Sequence, residues 1–174
     1  MLRIFTLVHV VISLVGILTG FVVLFGLFAR KGLDGCTRVF LATTVATSVT
    51  GFFFPVQQLM PSHVVGTLSL VVLGVAIYAR YSRHLTGAWR KSYVVAAVIA
   101  LYFNVFVGIV QAFVKIPVLK AMAPTQAESP FKLTQLIVLT LFVVLAIVAV
   151  IRFRDGPATA MEPIANHSMR QRAD

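Results

Sequence analysis

An all-α integral membrane protein is the fold class the sequence predicts, and three observations predict it. Charged residues make up only 11% of the 174-residue chain while 59% are hydrophobic, against roughly 25% charged and about half apolar in a soluble domain. The apolar residues come in continuous blocks near the ~20-residue length that crosses a bilayer, which also excludes the alternating, roughly ten-residue strands of a membrane barrel. Lys and Arg fall between these blocks and at their ends, as in membrane loops. That placement also removes nucleic acid as a partner, despite the net charge of +10.

Five spans are predicted, at about 4–29, 38–60, 63–80, 92–116 and 133–151. The first is too long for a signal-peptide core of roughly 7–15 residues, and it ends in Arg30-Lys31 without a small-residue cleavage site. Residues 1–154 form the transmembrane domain. The tail at 155–174, which holds His167, has Gly, two Pro, mixed charge and few large apolar residues, and is expected to be disordered. The lone cysteine, Cys36, permits no intrachain disulfide.

Orientation follows from the basic residues. With five spans, Arg30, Lys31, Arg38, Arg80, Arg83, Arg90, Lys91, Arg152, Arg154, Arg170 and Arg172 share one side, and Arg3, Lys115, Lys120 and Lys132 the other. Eleven against four puts the N-terminus outside and the C-terminus in the cytoplasm of a bacterial-type inner membrane. The stretch "RYSRHLTGAWRK" at 80–91 reads as an interfacial anchor facing anionic lipid headgroups. The outer loop at 117–130 is expected to be polar and turn-rich.

Polar residues within spans report which helix faces point inward, because an unpaired polar group in lipid is costly. His9, Ser13, Gly16 and Gly20 stand at offsets 0, 4, 7 and 11, one helical face. Thr44, Ser48, Gly51, Pro55 and Gln58 give 0, 4, 7, 11 and 14; Asn104, Gly108, Gln111 and Lys115 give 0, 4, 7 and 11; His63, Thr67 and Gly74 give 0, 4 and 11. Ser13, Gly16, Gly20, Thr44, Ser48, Gly51, Asn104 and Gly108 are therefore expected at helix contacts, where small residues admit close approach and hydroxyls bond across. The last span carries only Thr134, Gln135 and Thr140 among Leu, Val and Ile. It is placed at the periphery of a four-helix bundle.

Most of the polar positions fall in the outer half, where "FPVQQLMPSH" at 54–63 caps the bundle. His9, Gln58, His63 and Gln111 are the candidate ligand-binding set. The leading expectation is a non-enzymatic accessory or small-ligand-binding subunit, open to homo-oligomers or a membrane-complex partner. The first alternative is a redox module holding b-type haem or a quinone through His9 and His63, which lie on diagonal helices of an up-down bundle. A passive small-solute transporter is the second. A metal site is not expected, since neither carboxylate nor thiolate lies near the two histidines to complete a shell. The five acids, Asp34, Glu128, Asp155, Glu162 and Asp174, all lie outside the spans, which removes paired-carboxylate chemistry.

"FLATTVATSVTGFFFP" at 40–55 and "HVVGTLSLVVL" at 63–73 resemble segments of a family of small, uncharacterised multi-pass bacterial inner-membrane proteins. The resemblance covers roughly 1–154 and implies the topology, with no activity, cofactor or catalytic residue attached. A looser likeness to small haem-binding four-helix membrane proteins rests on His9 and His63 alone.

Overall fold

A computed structural model describes the backbone at 2–54 and 61–153 and the side chains at 3–54 and 64–153. Gln57, Gln58, Pro55 and the 155–174 tail lie outside the described residues. His63 is described in its backbone only.

Six α-helices account for nearly all of the described chain: α1 (Leu2–Phe28), α2 (Asp34–Gly51), α3 (Pro61–Ile77), α4 (Ala88–Lys115), α5 (Pro117–Met122) and α6 (Ser129–Arg152). α3 runs on into a π-helical turn, Tyr78–Ser82. Four of these segments are long and apolar enough to cross a membrane: Arg3–Phe28, Val64–Ser82, Ala88–Lys115 and Ser129–Arg152. The predicted span at 38–60 is the one whose described part, α2, falls short on composition. Asp34 and Arg38 charge its first turns, and Thr37, Thr43, Thr44, Thr47, Ser48 and Thr50 dilute the rest. The other helices start before their predicted bounds by up to about one turn, because helical hydrogen bonding begins where the sequence is not yet apolar. The outer loop is more regular than expected. Pro117, at the first position of α5, lacks only an N–H that a helix start leaves unbonded anyway.

α1 turns into α2 over five residues, 29–33. Arg30 adopts a left-handed conformation at φ 57°, and the Lys31 N–H donates to the Gly26 carbonyl at 2.9 Å. This is a Schellman-type ending, made with arginine where glycine is usual. Leu33 folds back on Gly26 so closely that a Cβ there would lie 2.9 Å from Leu33 Cδ1. So short a turn makes α2 run antiparallel to α1. Their contacts descend in register: His9 meets Thr50, Ser13 meets Thr47, Gly16 faces Thr43 and Thr44, and Gly20 faces Phe40.

α1 packs on α2, α2 on α3, α3 on α4, and α4 back on α1, which closes a four-helix ring. α6 lies outside the ring against α4 and α1. Its Phe142 ring sits 5.6 Å from Tyr102 and 6.2 Å from Phe21, while Leu133, Leu136, Ile137, Ile147 and Ile151 are exposed. The core occupies the end of the ring near the α1–α2 turn. There Leu24, Phe40, Leu73, Ala76, Val94, Ala100 and Leu101 are almost fully enclosed.

Candidate functional site

The α1–α2 seam carries the polar groups toward the N-terminal end of α1. His9 Nδ1 lies 2.7 Å from Thr50 Oγ1. The single Thr50 hydroxyl proton is directed to the Ala46 carbonyl, at 2.6 Å. Thr50 Oγ1 therefore accepts from His9, so the proton sits on Nδ1 and Nε2 keeps a bare lone pair. The His9 ring also meets Phe54 edge-on at 5.0 Å. One turn further, the Ser13 hydroxyl donates to the His9 carbonyl at 2.7 Å and stands 3.3 Å from Thr47 Oγ1. Deeper still, Asn104 Nδ2 donates to Thr44 Oγ1 at 3.0 Å, with both residues buried. A Cβ on Gly16 would lie 3.2 Å from Thr43 Oγ1 and 3.3 Å from Asn104 Nδ2. Ser48 donates to Ser69 Oγ at 3.1 Å, joining α2 to α3.

The sequence-derived set divides on this geometry. His9, Ser13, Gly16, Gly20, Thr44 and Asn104 come together along the seam, Ser48 faces Ser69 of α3, and half-buried Gly51 sits beside His9. Gly108 is exposed, with Ile17 Cδ1 of α1 3.7 Å from where its Cβ would sit. Gln111 is exposed. Near its C-terminal end α4 buries Phe113, whose ring meets Phe131 of α6 edge-on at 5.3 Å. Gln111, two residues before it, faces roughly the opposite way. Gln58 lies outside the described residues, and the His63 side chain does too, so of the four-residue ligand set only His9 and Gln111 have described side chains.

α3 also turns differently from the expectation. Thr67 and Gly74 are exposed, and nothing lies within 4 Å of a Gly74 Cβ. The enclosed face is Ser69, Leu73 and Ala76. A threonine need not face inward, because its hydroxyl can bond the carbonyl one turn back. Exposed Thr140 does this, donating to Leu136 at 2.9 Å, as does Thr19 to Val15 at 2.7 Å.

A second polar site lies at the other end of the ring, where α2 starts and α3 ends. An open cavity of about 280 Å³ is lined by Asp34, Arg38, Arg80, Tyr81, His84 and Leu85. The Arg80 guanidinium pairs with the Asp34 carboxylate. It stands 5.3 Å from the Tyr93 ring and 5.9 Å from that of Tyr81. The Arg80 side chain is only 11% exposed, against 70% for Asp34. The expectation of an interfacial anchor facing lipid headgroups at 80–91 does not include this pair. One signal was present: Asp34 is the sole acid in the first 127 residues, placed on the same predicted side as Arg80.

Among the described residues no group of three or more His, Cys, Asp or Glu side chains could hold a metal ion. No protein-family model, curated protein or solved structure matches the chain.

Proposed function

We propose that this chain crosses the membrane five times, with the N-terminus outside and the C-terminus in the cytoplasm, and acts as a non-enzymatic accessory or small-ligand-binding subunit. In this reading it resembles small bacterial inner-membrane proteins in topology as well as in sequence. The observation that carries the proposal is the α1–α2 seam. α2 follows α1 in antiparallel register from Thr50 beside His9 to Leu33 beside Gly26, so a bilayer crossed by α1 is crossed by α2 as well. Its low hydropathy is compatible with that. Thr43 and Thr50 donate to carbonyls of their own helix, Thr44 accepts from Asn104 of α4, and Ser48 donates to Ser69 of α3. The seam is built from neutral hydrogen-bonding groups bound to one another, which suits helix association and recognition of a small polar ligand.

One observation favours the redox alternative: the bare Nε2 of His9 is the lone pair that would ligate haem iron or accept from a quinol. His9 leans onto neighbouring α2 rather than across the ring toward α3, which favours the binding-subunit reading. The test is visible absorption of protein purified after expression with ample haem, oxidised and then reduced with dithionite. The expected spectrum has no redox-sensitive band. A Soret band that shifts on reduction and is lost in His9→Ala would replace the proposal with the haem reading.

A further inference from the structure

We propose that the cavity between the start of α2 and the π-turn is a binding site for a singly charged phosphodiester, the headgroup of an anionic phospholipid of the cytoplasmic leaflet. The choice of leaflet rests on the orientation proposed above; the chemistry does not. About 280 Å³ is close to the lower limit of small-molecule sites, roughly 300–1,000 Å³. That suits a headgroup whose acyl chains stay in the bilayer.

The charge of the lining selects the ligand. Arg80 and Asp34 neutralise each other. Arg38 makes no ion pair among the described residues and leaves one uncompensated positive charge. Tyr81 adds a hydroxyl and His84 an imidazole, so a monoanion meets one net charge and two further hydrogen-bonding groups. Arg38, Tyr81 and His84 are themselves exposed, so a headgroup can reach them without moving the core.

The backbone holds these groups in place. The π-turn adds a residue to the helical turn, and such turns concentrate at functional sites. Arg83 N–H donates to the Tyr78 carbonyl at 3.0 Å and Leu85 N–H to the Ala79 carbonyl at 3.1 Å. These bonds fix two consecutive non-glycine residues in the left-handed region, His84 at φ 48° and Leu85 at φ 56°. Strain of this kind persists only where the surroundings impose it, and it gathers at binding sites. Beside the cavity, Tyr78 and Trp89 pack edge-on at 5.1 Å, and Arg83 lies 5.4 Å from the Trp89 ring. Trp, Tyr and Arg together are the residues that settle at headgroup level.

The experiment uses the full chain in detergent, with short-chain phosphatidylglycerol, phosphatidylcholine of the same chains, and inorganic phosphate as probes. Thermal unfolding and native mass spectrometry are read for wild type, Arg38→Gln, His84→Ala and the control Lys91→Gln, which removes a basic charge outside the cavity lining. Phosphatidylglycerol is expected to raise the melting temperature of wild type and Lys91→Gln by several degrees, with little effect on Arg38→Gln or His84→Ala. Inorganic phosphate matching phosphatidylglycerol would make this a soluble-phosphate site and overturn the lipid assignment. Equal shifts from both lipids, retention of the shift in both cavity variants, or its loss in Lys91→Gln would overturn the site. If Arg38→Gln melts low without lipid, His84→Ala decides. Orientation is read separately, by impermeant maleimide labelling of Gly32→Cys in a Cys36→Ser background in intact cells. Labelling from outside would refute the leaflet while leaving the binding result intact.

Discussion

Gly20→Ala and Gly74→Ala make the same chemical change within α1 and α3, and the structure gives them opposite signs. Each removes a glycine from a helix interior, a gain of about 1 kcal/mol from backbone propensity. At Gly20 the new Cβ would stand 2.5 Å from Leu101 Cδ1 and 2.9 Å from Phe40 Cε2. The leucine methyl can swing, but the Phe40 ring is rigid, and both residues are about 99% enclosed. Overpacking of this sort costs about 1–3 kcal/mol, so the net change is a loss of roughly 0–2 kcal/mol. At Gly74 a Cβ meets nothing within 4 Å, and only the propensity gain remains. The propensity contributions cancel in the comparison, leaving a difference of ~1–3 kcal/mol. At about 2–4 °C per kcal/mol for a chain of this size, Gly74→Ala should melt roughly 2–12 °C above Gly20→Ala. Thermal unfolding in a mild detergent measures it. Equal melting temperatures, or Gly20→Ala the more stable, would refute the close approach of α1 to Phe40 and Leu101.

Three further expectations follow from the polar contacts. Thr44→Val and Asn104→Leu should couple by about 0.5–2 kcal/mol in a double-mutant cycle, since either change alone orphans the other buried group; strict additivity would show that they do not share a bond. Asp34→Asn should destabilise by ~1–2 kcal/mol, less than the full cost of breaking a buried pair, because Asp34 is largely exposed while Arg80 is not; an unchanged melting temperature would show the pair to be incidental. In the loop between α5 and α6, desolvation tends to raise the Glu128 pKa. Hydrogen bonds from the Thr125 hydroxyl at 2.8 Å and backbone N–H at 3.1 Å outweigh it and hold the carboxyl below its ordinary value. A depressed folded-state pKa contributes stability above the unfolded value and loses it as pH falls through the folded one. Proteolysis at 123–128 should therefore accelerate below about pH 4, near the unperturbed glutamate pKa. Thr125→Ala should remove most of that pH dependence, and a flat pH profile in wild type would count against the cap.

The helices were legible because apolar blocks of spanning length leave little choice of structure, and the α1 face was legible because glycine and serine repeat there at helical spacing. Faces defined by threonine alone were ambiguous. Thr44 turns inward to Asn104 while Thr19 and Thr140 bond their own helix, and spacing does not distinguish the two. Gln111 was ambiguous for a related reason: it is exposed while Phe113 is buried, and one polar residue near a helix end can face lipid headgroups as well as a ligand. The Arg80–Asp34 pair was hidden because its partners are 46 residues apart and join only after α2 and α3 pack. The π-turn that aims Arg80 has no composition of its own.

The two ends of the ring are held by different forces, and this asymmetry bears on where a ligand could enter. From Tyr93 to Leu101, α4 is enclosed at nearly every position by Leu24, Phe40, Leu73 and their neighbours. This end closes by dispersion and apolar packing, and Arg80 is clamped at its rim. Beyond Asn104 only Phe113 of α4 is fully buried, and the ring is joined mainly by single hydrogen bonds such as His9–Thr50 and Ser13–Thr47. Hydrogen bonds between membrane helices average about 0.6 kcal/mol by double-mutant cycles, far less than a packed layer of aromatic and aliphatic side chains. The His9 end should therefore open more readily, on energetic grounds alone, while the opposite rim stays rigid. A small ligand that must enter the ring would come past His9. A headgroup that needs fixed donors would be held at Arg38 and His84.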